Sequence, residues 1–112
     1  MIKEKAILFN IIKHCKRIEE KVSNISKTEF DNSMDIKEIC CFNIFQIGEL
    51  AKRLPNEFII KYNKMPWKDI KGNRDVIGHG YGSIDYDDIW NTSTKEITPL
   101  HQYCEEILKE LN

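Results

Sequence analysis

Apolar residues recur along this chain at helical spacing almost from end to end. Ile7, Ile11, Cys15, Ile18, Val22 and Ile25 are three or four positions apart, which makes one stripe on a helix. Leu8, Phe9 and Ile12 widen that stripe, and the first helix is expected over about 3–24. A second stripe joins Ile36, Cys40, Ile44, Ile47, Ala51 and Leu54, with Ile39, Phe42 and Phe45 on a neighbouring face. A helix apolar over so wide an arc is buried on more than one side. In a chain of 112 residues the extra face suggests a second subunit.

Punctuation separates these helices. SKTEFDNSMD, 26–35, is polar and turn-rich and is expected to be a connection, with Ser33 or Asp35 capping the next helix. Pro55 ends that helix or starts a short one in PNEFIIKYN, and Pro66 opens PWKDIKGNRDVIGHGY. Ser83 or Asp85 is the expected cap of a last helical region from Ile84 to Leu111, which Pro99 should kink or split. No run alternates as a strand does. The expected architecture is all-α: one domain over 1–112, an up-and-down bundle of four or five helices.

Composition narrows the function. The net charge is −1, so a general basic coat for nucleic acid is absent and any such binding must rest on a local patch. One patch exists. Residues 61–74 carry Lys61, Lys64, Lys68, Lys71 and Arg74 against Asp69 alone, a local charge of +4, whereas 85–112 carries −5. The N-terminal segment is interrupted by charges every few positions. It reads as neither signal peptide nor membrane span, and a cytoplasmic location is expected. Cys15, Cys40, Cys41 and Cys104 form no CxxC pair and are expected to be reduced, small apolar residues. His101 and Cys104 are spaced like two metal ligands, but no second pair completes a site, so no metal is expected.

The basic run leads into NRDVIGHGYG, 73–82, where His79 stands between Gly78 and Gly80. Each glycine inside a helix costs about 1 kcal/mol relative to alanine. Removing side chains there lets a bulky substrate backbone approach. Arg74 offers a permanently charged planar fork to phosphate oxygens, and His79 is of the residue type most often used as general acid or base. The two together form a minimal site for phosphoryl chemistry. Five residues of helix place them about 140° apart on the axis. Three resolutions are open: Arg74 bends back, the helix loosens at Gly78, or the site is built where two copies of the segment meet.

RDVIGHGY, an Arg, four residues, a His, one residue and a Tyr, resembles the motif of HEPN-domain ribonuclease toxins. The closer likeness is to the HepT type, partnered by MNT nucleotidyltransferase antitoxins. IGELAKRLP (47–55), MPWKDIKGNRD (65–75), YGSIDYDDIW (81–90) and ITPLHQYCEEI (97–107) resemble further segments of that family in the same order. The likeness departs at Thr98, which precedes Pro99 where the family has leucine.

The resemblance implies an all-helical, HEPN-like homodimer whose two motifs line one cleft. It implies metal-independent, cofactor-free RNA cleavage by attack of a ribose 2′-hydroxyl on the adjacent phosphate. Arg74 would hold the phosphate, His79 would transfer the proton, and Asp75 would orient one of them. Glu49, in the Ile-Gly-Glu segment, would pair with Arg74 or complete the cleft, or else be a surface acid. Tyr81 would be the residue to which the antitoxin attaches AMP. The alternative class is a catalytically inactive helical module, binding nucleotide or RNA or passing phosphate through His79. Trp67 and Trp90 are expected to be core anchors, Gly48 to allow close helix packing, and His14 and His101 carry no assigned function.

Overall fold

The computed structural model describes residues 2–65, 67, 70 and 84–112. Helix α1 spans Ile2–Val22, α2 Lys27–Asp31, α3 Met34–Lys52 and α4 Asn56–Lys61. After the motif region come α5 at Tyr86–Asn91, a π-helical turn at Thr92–Glu96 and α6 at Ile97–Leu111. The described residues contain no strand. The described residues form the expected all-α helical bundle.

Helix α1 is the centre of that bundle. It buries Ile7, Leu8, Ile11, Ile12, Cys15, Ile18 and Val22, and packs against both α3 and α6. Full burial of one such aliphatic side chain contributes about 1.5–3 kcal/mol, so this stripe holds the helix far more firmly than intrinsic propensity would. Two members of the expected stripe behave differently. Phe9 is 59% exposed, because it lies about 60° round the helix beyond Ile12, outside the buried arc. Ile25 lies beyond the end of α1, where it packs half-buried on the core. Glu19 on α1 meets His101 on α6, and Cys15 lies beside Cys104. As one index falls the other rises, so these helices run antiparallel.

The segment expected to be a mere connection contains α2. Ser26 Oγ accepts from the Glu29 N–H at 3.1 Å, while Glu29 Oε1 accepts from the Ser26 N–H at 3.0 Å. This reciprocal capping box satisfies two donors that a helix start leaves unpaired. Five residues cannot persist as an isolated helix. Burial of Phe30, which is fully enclosed and 5.1 Å from the Trp90 ring, holds α2 in place. Lys27 adds ion pairs to Asp31 at 2.9 Å and to Asp87 of α5 at 2.7 Å.

Of the two candidate caps for α3, Ser33 is the one used: its Oγ accepts from the Ile36 N–H at 3.2 Å. Pro55 is the N-cap of α4. The break expected near Pro99 is met one turn upstream. A proline at 99 has no N–H for the carbonyl of residue 95, and its ring crowds that carbonyl. The backbone instead widens, and the Ile97 N–H bonds back five residues to the Thr92 carbonyl. Pro99 then falls in the first turn of α6, where it is tolerated.

Candidate functional site

Arg74, Asp75, His79 and Tyr81 lie outside the described residues. Among the described residues are Glu49 on α3, the candidate from the family likeness, and the segments next to the motif in sequence, after α4 and before α5.

Glu49 is half-buried near the C-terminal end of α3. Its neighbours Ile47, Gly48, Leu50 and Ala51 are all buried, so the carboxylate-bearing turn is held on the core by the residues on either side of it. Gly48, with no side chain, permits that close packing. Of the predicted stripe, Cys40, Ile44, Ile47, Ala51 and Leu54 are buried in the core and Ile36 packs half-buried against it.

The approach to the motif is anchored by an aromatic pair. Trp67 is 2% exposed, and its indole N–H donates to the Tyr62 carbonyl at 2.6 Å. Tyr62 is itself buried and stacks at 4.8 Å on Phe58 of α4. Trp67 is therefore a core anchor, as expected, and not a platform for a base. Ile70 packs half-buried on the same core. Of the basic run, Lys61 and Lys64 are exposed, with their ammonium groups 5.3 and 6.0 Å from the rings of Tyr62 and Tyr103. Lys68, Lys71 and Arg74 fall outside the described residues.

On the return side, Ile84 packs on the core and Asp85 caps α5, its Oδ1 accepting from the Asp87 N–H at 2.9 Å. Ser83, the other candidate cap, lies outside the described residues. Ile89 is buried, Trp90 is half-buried against Phe30, and Lys37 of α3 lies 4.9 Å over the Tyr86 ring. The motif thus runs between Ile70 and Ile84, both fastened to the core.

The two histidines with no assigned role are structural. His14 Nδ1 is 2.7 Å from Oδ1 of the buried Asn43, whose Nδ2 donates to the Ile39 carbonyl at 2.7 Å. His101 bridges helices, with Nδ1 2.8 Å from Glu19 Oε1 and Nε2 2.9 Å from Glu105 Oε1. Thr98 Oγ1 donates to Glu19 Oε2 at 2.7 Å, so one carboxylate of α1 receives two groups of α6. Among the described residues no cluster of three His, Cys, Asp or Glu side chains could hold a metal ion.

All four cysteines are free and buried. Burial pushes the thiol of Cys104 up to about 12 and that of Cys41 up to about 11. Cys15 is raised further, first by burial and then by Cys104 and Glu19, and Cys40 is raised by burial against the opposing effect of the Ser93 hydroxyl. These are inert packing groups rather than nucleophiles. Among the described residues no helix is long and apolar enough to cross a membrane.

The helices and the motif segment fall in a sequence that the family model described as ribonuclease HepT-like matches over residues 11–107. The chain belongs to the HepT-like ribonuclease family. That match takes in most of α1, all of α2 to α5, and the Arg74-to-Tyr81 motif. Among HepT-like relatives, a candidate RNase of Caldanaerobacter subterraneus subsp. tengcongensis is 37% identical over 103 residues, 92% of this chain and 92% of that one. A candidate RNase of Methanocaldococcus jannaschii is 32% identical over 107 residues, 96% of this chain and 88% of that one. A candidate ribonuclease HepT of Thermococcus cleftensis is 32% identical over 63 residues, 56% of this chain and 57% of that protein. No solved structure matches the chain significantly.

Proposed function

We propose that this protein is the toxin of a type II toxin-antitoxin system and acts as a metal-independent endoribonuclease. The observation that carries this reading is the HepT-like match across 11–107, which contains the Arg74–His79–Tyr81 spacing. RNA-cleaving names recur among the relatives that cover nearly all of the chain.

The chemistry follows from the residue types. A ribose 2′-oxygen attacks the adjacent phosphorus as His79 takes its proton. The bond from phosphorus to the 5′-oxygen breaks, and that oxygen receives a proton. The products are a cyclic 2′,3′-phosphate and a 5′-hydroxyl. Arg74 stabilises the charge that grows on the phosphoryl oxygens. Asp75 and Glu49 hold Arg74 or His79 in orientation. One histidine per motif cannot be base and acid at once, so two copies of the chain share a cleft and each supplies His79. Neighbouring charges then separate the two titrations. Lys61 and Lys64 begin a positive approach for the RNA backbone.

Tyr81 is the control point in this reading. A nucleotidyltransferase antitoxin transfers AMP to its phenolic oxygen from ATP and releases pyrophosphate. The adduct places a bulky anion beside Arg74 and excludes RNA by bulk and by charge.

The test is induced expression with no partner gene, followed by cleavage of RNA by the purified protein. Wild type should arrest growth and cleave RNA with excess chelator present. Arg74→Ala and His79→Ala should each lower cleavage by at least about 100-fold while remaining folded. Cleavage that a chelator abolishes would refute the metal-independent mechanism. A harmless wild type with unmodified Tyr81, shown by intact mass, would refute the toxin reading.

A further inference from the structure

A pocket of about 530 Å³ lies where the end of α1 meets the π-helical turn. Glu19 and Ser23 line it on one side, and Trp90, Ser93, Thr94 and Thr98 on the other. The proposed cleavage uses none of these residues. Thr98 is also the point at which the likeness to the HepT type departs, with a hydroxyl in place of an apolar leucine. A π turn is rare and occurs mostly at functional sites. Here it buries Ser93, which is 2% exposed and whose hydroxyl makes no hydrogen bond. The thiol of Cys40 is its polar neighbour on the core side, and a thiol is a weak partner. Pro99 accounts for the widened backbone, but not for a buried hydroxyl left unpaired at a cost.

The wall of this pocket offers acceptors. Glu19 is the one ionisable group among the described residues that line it, and a carboxylate only accepts. Thr94 spends its hydroxyl proton on the Trp90 carbonyl at 2.8 Å, and Thr98 spends its own on Glu19 at 2.7 Å. Both threonine oxygens are left with lone pairs and no proton to give. Each oxygen of Glu19 has one partner, His101 or Thr98, and two lone pairs, so each can take a further donor. The charge is negative as well. Even with His101 protonated, Glu19 and Glu105 leave that cluster net negative. Residues 85–112 carry −5 in all, a feature that cleavage does not use. A phosphate is repelled here. An ammonium group has three donors and no acceptor, which matches the wall. Trp90, half-buried and backed by Phe30 at 5.1 Å, supplies the aromatic ring that attracts a cation best.

From these features we propose that the pocket binds a small organic cation, an aliphatic amine, whose ammonium group donates to Glu19 and to the hydroxyl oxygens of Thr94 and Thr98 beside the Trp90 ring. Ser93, the most buried of the lining residues, adds an acceptor with no competing partner in the fold. The bound amine joins α1 to the π turn and to α6, so it stabilises the folded chain by mass action. The site stands apart from the ribonuclease reading, since no residue of the motif belongs to it.

The test uses the full chain free of RNA, with 1,4-diaminobutane as the probe and 1,4-butanediol as its neutral counterpart. Titration calorimetry should give one site per chain with a Kd of about 1 mM or tighter for the amine, and no binding of the diol. In nitrogen-15 NMR the indole N–H signal of Trp90 should shift to saturation. That of Trp67, bonded to the Tyr62 carbonyl inside the core, should stay in place. The spectrum of Trp90→Phe assigns the two signals. Thr98→Leu and Ser93→Ala leave the net charge unchanged, and each should weaken binding about fivefold, the worth of one hydrogen bond. Far-UV circular dichroism checks both folds, and Ser93→Ala removes a hydroxyl that has no partner to lose. Binding that does not saturate by about 10 mM overturns the proposal. So does equal binding of the diol, or unchanged affinity in both Thr98→Leu and Ser93→Ala. Displacement of the amine by magnesium ion at equal concentration also overturns it, because the signal would then report the acidic charge of 85–112 in general.

Discussion

Replacing Trp67 by Phe would separate two things that this side chain does just before the motif begins. Its ring is 2% exposed, and its indole N–H meets the Tyr62 carbonyl at 2.6 Å. Phenylalanine keeps an aromatic ring but has no donor. The Tyr62 carbonyl, in a residue itself only 5% exposed, would lose that bond where water cannot readily replace it. Leaving a buried acceptor unpaired costs about 1–3 kcal/mol. The smaller ring also leaves a void, which adds to the loss. A total near 2 kcal/mol is expected for Trp67→Phe, and about 3–5 kcal/mol for Trp67→Ala. With a urea slope of about 1–3 kcal/mol per molar, Trp67→Phe should lower the unfolding midpoint by about 1 M. Circular dichroism at 222 nm is the suitable signal, because the substitution removes a fluorophore. A Trp67→Phe midpoint within about 0.2 M of wild type would refute the anchoring role. Weaker RNA binding at unchanged stability would instead make Trp67 a stacking surface.

Two further perturbations address the interior and the helix bridge. The thiols of Cys15, Cys41 and Cys104 have native values raised by burial, so the folded state keeps protons that the unfolded chain releases above about pH 9. Their contribution to stability is fully present below that pH. It is lost as pH rises through the native values of Cys41, about 11, and Cys104, about 12. Urea midpoints at pH 8 and pH 10 should therefore fall in that order, and an alkylating reagent at pH 8 should label the thiols only on unfolding. Rapid labelling of the native protein would contradict the burial. Glu19→Gln should cost about 1–3 kcal/mol, since Glu19 receives both Thr98 and His101. A double-mutant cycle with His101→Gln should show coupling. Additive effects would mean that the bridge between α1 and α6 carries no energy of its own.

What was legible in advance was local. The stripes of α1 and α3 follow from spacings of three and four, and the structure buries Ile7, Ile11, Cys15 and Ile18 on one helix and Cys40, Ile44, Ile47 and Ala51 on the other. Ser33 was one of two candidate caps because its hydroxyl chemistry is local too. Helix α2 was missed although Ser26 and Glu29 carry a capping-box spacing. The surrounding residues are polar, and a five-residue helix depends on Phe30 finding Trp90, sixty positions away. The π turn was missed because its form depends on how the backbone accommodates Pro99 while Ser93 and Ile97 are buried.

The site divides the same way. Arg74 and His79 were picked out by chemistry and spacing, and Tyr81, Asp75 and Glu49 were assigned roles through the family likeness. Of these, Glu49 is the one among the described residues, half-buried on the turn of α3 that Ile47 and Leu50 fix to the core.

The sequence by itself determined the long helices and their stripes, because periodicity and capping are properties of a few neighbouring residues. Only the tertiary structure decided that His14 binds Asn43 across 29 positions, that Glu19 holds α6 across 79 and 82, and that Phe42 stays exposed while Ile44 does not. Those outcomes depend on which helix lies against which, and a helical stripe carries no address for its partner.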